Sequence, residues 1–391
     1  MASSTSRDRA QALLDRFQLA DGHNDLPWAL RDFFQTDKNS EKSTGRSEGD
    51  DVFATAAKVD LAVRQPTLHT DLVRLREGRV GLQFWSVWVP CRLAGDAAVT
   101  TVLEQIELVH SLAERYPDDL AIATTADEAE AAFASGRIAS LLGAEGGHSI
   151  NSSLGVLRAL RRLGVRYMTL THNENTPWAD SATDVAVHGG LSSFGRDVVR
   201  EMNRIGMLVD LSHVAPSTMH DALEVSSRPV MFSHSSCRAV ADHPRNVPDE
   251  VLGKLAGNGG VCMVTFVPQF VSAAYAEWDA GLKEAMDAAG VAHNDLEARG
   301  AFVETWRGGG TPPRVTVADV VAHVEHAREV AGVDHIGLGG DYDGVKALPE
   351  GLEDVSTYPN LFGELVERGW SDEELGKLAG GNVLRVLRDA E

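Results

Sequence analysis

Gln18-Leu-Ala-Asp-Gly-His-Asn-Asp-Leu-Pro27 is the stretch on which the fold and the chemistry of this chain both turn. Its apolar first half reads as a buried strand, and it closes on His23 and Asp25, two positions apart. Residues at i and i+2 of a strand share a face. An imidazole and a carboxylate therefore leave the strand end side by side, which makes half of a site for a first-row divalent metal. On its own the pair is more often an ordinary strand end meeting water. The choice depends on whether the rest of the chain repeats the device.

It does. Residues 18–23, 80–89, 138–144, 165–171, 207–212, 229–234, 260–266 and 335–340 read as eight apolar or β-rich strands. Helical patterns fall between them, at 67–77, 97–115, 126–135, 153–163, 192–205, 215–225, 248–257, 316–331 and 371–388, the last opening on a capping box, Ser371-Asp-Glu-Glu374. Strands alternating with helices imply βαβ units and a parallel sheet, and eight of them favour a closed (β/α)8, TIM-like barrel over an open sheet. The whole chain, 1–391, reads as one domain. Two segments break the rhythm: an exposed polar loop at about 35–51, and an Ala/Glu/Asp-rich helical insertion at about 268–314. Both follow strand ends, so each is either a lid over the rim or surface decoration.

Strand ends are also where the chemistry collects. After His23 and Asp25 come Glu145 and His148, then His172, then Asp210 and His213, then His234, and finally Asp341 and Asp343. In a barrel the strand C-termini converge on one face, where catalytic residues gather. Three imidazoles and two carboxylates exceed the needs of one open tetrahedral zinc, and suit two divalent ions about 3.5–4 Å apart with a shared carboxylate and a bridging hydroxide. Hydrolysis is the natural reaction class. The chain has no Gly-x-Ser-x-Gly elbow and no P-loop. The glycines of 337–344 lack dinucleotide spacing and read as room for close backbone packing beside Asp341. His323 and His326 read as helix-surface residues, and Trp85 and Trp88 as core.

Composition limits the partners. A formal charge of −21 over 391 residues, 43% of them hydrophobic, argues against nucleic acid or an anionic membrane surface. Three cysteines, Cys91, Cys237 and Cys262, form no CxxC pair. The N-terminus lacks the apolar core of a signal peptide, the C-terminus carries no anchor signal, and no apolar run is long enough to span a bilayer, so the expected compartment is the cytoplasm.

The motifs together resemble the membrane dipeptidase (renal dipeptidase) family of zinc peptidases, in the manner of a soluble, bacterial-type member. They are Asp21-Gly-His-Asn-Asp-Leu-Pro27, Gln83-Phe-Trp-Ser-Val87, Glu145-Gly-Gly147, Thr171-His-Asn173, Asn175-Thr-Pro-Trp-Ala-Asp180, Asp210-Leu-Ser-His213, Arg245-Asn-Val-Pro-Asp249 and Gly339-Gly-Asp-Tyr-Asp-Gly344, in the family's order. The resemblance implies a (β/α)8 barrel with two Zn2+ per chain, bridged by Glu145 and a water or hydroxide. His23 and Asp25 match ligands of one zinc, His213 and His234 those of the other. His172 matches the histidine that holds the tetrahedral intermediate, Arg245 the arginine that binds the substrate's C-terminal carboxylate, and Asp341 the catalytic acid/base. Chemistry alone reads Arg245 as an ordinary surface arginine.

The implied function is a dipeptidase acting on L-Xaa-L-Xaa and L-Xaa-D-Xaa dipeptides. The rival readings are another binuclear amidohydrolase, acting on cyclic amides, β-lactams or phosphoesters, and a non-catalytic barrel with structural metals. Cys91 stands where the family often places half of a disulfide, and the other half falls at Glu174 here, so that bridge cannot form. This agrees with a reducing compartment and leaves a noncovalent homodimer as the form a dimer would take.

Overall fold

The computed structural model describes residues 3–31, 59–291, 296–306 and 308–391. Among them nine parallel strands make one sheet: β1 (Leu19–Asn24), β2 (Val80–Ser86), β3 (Leu120–Ile122), β4 (Ile138–Glu145), β5 (Val165–Thr169), β6 (Leu208–Asp210), β7 (Val230–Phe232), β8 (Val261–Val264) and β9 (Ile336–Leu338). Eight of them close a barrel in the order β1-β2-β4-β5-β6-β7-β8-β9, with β9 returning to β1 through Asp21 and Leu338. These eight are the strands expected from the apolar runs. The ninth, β3, is a three-residue strand that pairs with Ile138–Ser140 of β4, ahead of the point where β5 takes up β4 at Leu142.

Strand alternation sorts the core into two sets. Ala20, Leu82, Phe84, Leu141, Tyr167, Leu208, Met231 and Met263 pack together and fill the barrel. Their neighbours Leu19, Leu142, Met168, Val209, Phe232 and Val264 face the other way, against the helices. A parallel sheet covered on both faces needs such continuous apolar runs. Val383, Val386 and Leu387 of the helix Asn382–Ala390 join the interior set. Asn382 donates to the carbonyls of Val333 and Ile336, so this helix seals the barrel at its strand N-termini. The other rim is left for the site.

Most expected helices are present, with start points set by side-chain caps: Asp71, Thr125, Ser153 and Ser192 each accept from a backbone N–H in the first turn. The expected 371–388 helix does begin on the Ser371–Glu374 capping box, but is interrupted by a π turn at Lys377–Gly381. The helices Ser4–Leu14 and Tyr358–Glu367 went unforeseen. The insertion is helical as expected, with Pro268–Val271, Ala273–Ala288 and Leu296–Thr305 among the described residues. The loop expected at 35–51 lies outside the described residues. Among the described residues no helix is long and apolar enough to cross a membrane.

His323 corrects the surface reading. It is fully buried in the helix Val317–Ala331, accepting the Cys237 N–H at Nδ1 and bonding the Val271 carbonyl through Nε2. It thus ties the loop after β7 to the start of the insertion. His326 is partly exposed and pairs with Asp249. Burial lowers the His323 pKa from 6.5 to about 4. The native state therefore binds fewer protons than the unfolded chain between those values, and stability falls as pH drops through that window. The expected contribution is a loss of about 2 kcal/mol between pH 7 and pH 5. It is read as the difference in urea-unfolding free energy between wild type and His323→Gln at the two pH values. Parallel losses in the two proteins would remove the assignment.

Candidate metal centre

The barrel rim is built on a layer of polar side chains continuing the interior faces of the strands. Glu145, at the end of β4, has the same parity as Leu141 and Gly143, so it points inward and is 4% exposed. His23 does not follow this rule. Alternation from Leu19 would send it outward, but the β1–β2 pairing shifts register between Asp21 and Asn24. Such an irregularity re-aims a side chain, and the His23 ring lies within the cluster. Asp21 locks the bend by accepting the N–H groups of His23 and Gly340.

Around Glu145 the distances are short. His23 Nε2 lies 3.4 Å from Glu145 Oε2 and 3.3 Å from Asp25 Oδ2. On the other oxygen, Oε1, His213 Nε2 is at 2.9 Å, His234 Nε2 at 3.5 Å and His172 Nε2 at 3.7 Å. His213 and His234 bring their Nε2 atoms to 3.0 Å. Among the described residues three groups satisfy metal-ligand proximity: His23–Glu145–His234, Glu145–His172–His213 and His23–Asp25–Asp341. All seven residues named from the sequence for metal binding or catalysis at the centre therefore meet in one place.

The donor set fits a pair of divalent cations. Ligand atoms about 2.1 Å from a tetrahedral metal stand about 3.4 Å from one another, the spacing seen here. His23 Nε2 is buried without a hydrogen-bond partner, aimed at two carboxylates. Electrostatics agree. Burial opposes the Glu145 carboxylate, but His23, His172 and the hydrogen bond from His213 hold it well below the usual range. Burial, with Arg245 adding to it, lowers His213 and His234, leaving neutral imidazoles with lone pairs to give. At Asp341 burial and the neighbouring Asp25 raise the carboxyl well above its ordinary value.

Both His213 (φ 68°) and Asp341 (φ 62°) sit in the left-handed region, a conformation non-glycine residues adopt at a cost of about 1–2 kcal/mol. A Cβ on Gly344 would come within 2.4 Å of Asp341 Oδ1, so the glycine expected to permit close packing there is required for it.

Behind the cluster stand partners that sequence reasoning missed. Tyr167 OH lies 2.9 Å from His23 Nδ1 and donates to the Gly22 carbonyl. Its ring occupies the space over Gly143, where a Cβ would be 2.0 Å away. Ser233 Oγ bridges His234 Nδ1 (2.8 Å) and Asp210 Oδ2 (2.7 Å), and Ser86 Oγ donates to Glu145 Oε2. The only signal was position: each lies on a strand's interior face or beside a quoted motif.

Arg245 is buried, not on the surface. Its guanidinium stacks 5.2 Å from the Phe270 ring and reaches the His234 carbonyl at 3.5 Å, while Nε and Nη1 are buried without partners. Burial lowers it to about 10, still a cation at neutral pH. His148 turns away and bonds the Val89 carbonyl. Trp85 is core as expected, whereas Trp88 is half-buried and lies against the His172 ring, 5.4 Å between centroids.

A parallel barrel with this rim defines a metal-dependent hydrolase. The comparisons make it particular. Residues 7–391 match the family described as Membrane dipeptidase (Peptidase family M19). Rat Dipeptidase 3 is 41% identical over 390 residues, 98% of this chain and 67% of that protein. Among solved structures, the probable dipeptidase PvdM from Pseudomonas aeruginosa superposes with a TM-score of 0.80 at 20% identity, covering 99% of this chain and 98% of the other. A metallopeptidase from Rhodobacter sphaeroides, liganded with a phosphinate mimic of the dipeptide L-Ala-D-Ala, gives 0.73 at 21% identity, covering 96% and 99%. The chain belongs to the membrane dipeptidase family, and is a metallo-dipeptidase, a hydrolase.

The hydrogen bond behind His23 carries a measurable consequence. Partners of a ligating histidine typically change metal affinity by about 10–100-fold. Tyr167→Phe is expected to weaken binding of one cobalt(II) equivalent by about that factor in competition with a chromophoric chelator. Unchanged affinity would show that Tyr167 only packs.

Proposed function

We propose that the protein is a di-zinc dipeptidase that cleaves the single peptide bond of L-Xaa-L-Xaa and L-Xaa-D-Xaa dipeptides. His23 and Asp25 would hold one zinc and His213 and His234 the other, with Glu145 shared. Bound there, the two ions supply Lewis acidity at the scissile carbonyl and a water acidified to near neutrality. The chain's own side chains do the remaining work. His172 donates from Nε2 to the developing oxyanion. Asp341 moves a proton from the attacking water to the leaving nitrogen, which its place beside Asp25 and His23 supports. Arg245 receives the free C-terminal carboxylate as a bidentate guanidinium pair.

The observation that carries this reading is the unpaired buried guanidinium beside the cluster. A buried arginine with two N–H-bearing nitrogens unsatisfied is costly unless an anion arrives. Placed next to His234, it sets a fixed span from the metals to the carboxylate, which selects two-residue substrates. The dipeptide mimic bound by the Rhodobacter relative supports tolerance of a D-residue at the C-terminal position. The free thiols of Cys91, Cys237 and Cys262 support a reducing, cytoplasmic setting.

The test uses enzyme of measured zinc content on paired L-Xaa-L-Xaa and L-Xaa-D-Xaa libraries, each with a C-terminally amidated counterpart. Turnover of the free acids, abolished by a chelator and restored by zinc, is expected. Amidation and Arg245→Ala should each lower kcat/KM by about 30–100-fold, chiefly through KM, and should not compound. Equal turnover of acids and amides would remove Arg245 from substrate recognition.

A further inference from the structure

Cys91 lies beyond the end of β2, yet its Sγ is 3.4 Å from Nδ1 of His172, 81 residues away. The backbone N–H groups of Asn173 and Glu174 face the same sulfur. The thiol has one hydrogen to give, and the acceptor in reach is the imidazole nitrogen. Burial pushes the thiol up to about 11, so that hydrogen is in place at neutral pH. No disulfide competes for the sulfur, since all three cysteines are free.

The second ring nitrogen then has its state decided. A neutral imidazole that accepts at Nδ1 carries its proton on Nε2. His172 Nε2 is the atom turned towards the centre, 3.7 Å from Glu145 Oε1. Trp88, at 5.4 Å between centroids, and His213, at 4.3 Å, both pack at a tilt against the ring. These rings do not choose the tautomer; the Glu145 carboxylate beyond Nε2 and the group at Nδ1 both favour a proton on Nε2, and of the two only Cys91 is in hydrogen-bond contact with the ring.

We infer that Cys91 is a positioning residue for the hydrolysis: its thiol donates to His172 Nδ1 and holds the imidazole as the Nε2–H tautomer that faces the reacting carbonyl. The inference rests on the role proposed for His172. The other tautomer would present a lone pair to an oxyanion, so loss of the donor should slow turnover without weakening substrate or metal binding. A thiol-to-hydroxyl change keeps a donor; a change to methyl does not.

The experiment compares Cys91→Ala, Cys91→Ser and His172→Asn in the zinc-loaded enzyme, using dipeptide kinetics, zinc content and 15N-histidine NMR. The wild-type His172 signal is expected to show a bare Nδ1 and a protonated Nε2. In Cys91→Ala that signal should shift towards a tautomer mixture. There kcat should fall about tenfold, with KM and zinc content within about twofold. Cys91→Ser should recover most of the loss.

A wild-type tautomer signal in Cys91→Ala overturns the inference. So does a Cys91→Ser enzyme as slow as Cys91→Ala, which would make the thiol a matter of packing. Should His172→Asn keep full kcat while the tautomer still shifts in Cys91→Ala, the role of His172 fails and the hydrogen bond from Cys91 stands.

Discussion

One carboxylate, Glu145, organises this protein. It is 4% exposed, and Nε2 atoms of His23, His172, His213 and His234 lie between 2.9 and 3.7 Å of its oxygens. A buried charge without compensation is prohibitive, and His172, His213 and His234, whose pKa values burial lowers, compensate it weakly as neutral imidazoles. Dications between the carboxylate and the imidazoles would satisfy the acid and the bases together. The proposed reaction draws on the positive charge left over once the carboxylates are neutralised, and Arg245 adds a fixed cation for the substrate's far end.

Holding such a cluster in register requires rigid support, and the barrel gives it. Glu145 ends the long strand β4, whose interior is filled by Leu141 and by the Tyr167 ring over Gly143. Tyr167 reaches up to His23; Asp210 and Ser233, at the ends of β6 and β7, do the same for His234. The side chains that fill the barrel thus also orient the ligands above them. Backbone strain at His213 and Asp341 fits the same division: left-handed conformations persist where the surroundings over-determine them.

The sequence exposed the frame well for a physical reason. Barrel strands are buried on both faces, so they read as continuous apolar runs, and their polar termini stand out against them. β3 escaped because three residues, Leu120–Ile122, leave no pattern. The helix Tyr358–Glu367 was obscured by Pro359, harmless in the first turn, and by Gly363. At the site the residue types were legible, but their directions were not. His23 points inward only because β1 slips register against β2. Tyr167 reads as one more aromatic strand residue, Arg245 as a surface charge and His323 as a helix-face histidine, since burial of a polar group depends on partners far away in the chain. The pairing of Cys91 with His172 is of this kind.

The central claim is that five side chains gathered from β1 and from the ends of three other strands, β4, β6 and β7, cage two cations around one shared acid. Zinc bound per chain at saturation, counted by elemental analysis after dialysis against buffered free zinc, tests it most directly. The account predicts two zinc ions in the wild-type protein and at most one tightly held ion in Glu145→Ala. A wild-type chain that binds a single zinc, or a Glu145→Ala chain that keeps both with wild-type affinity, would contradict it.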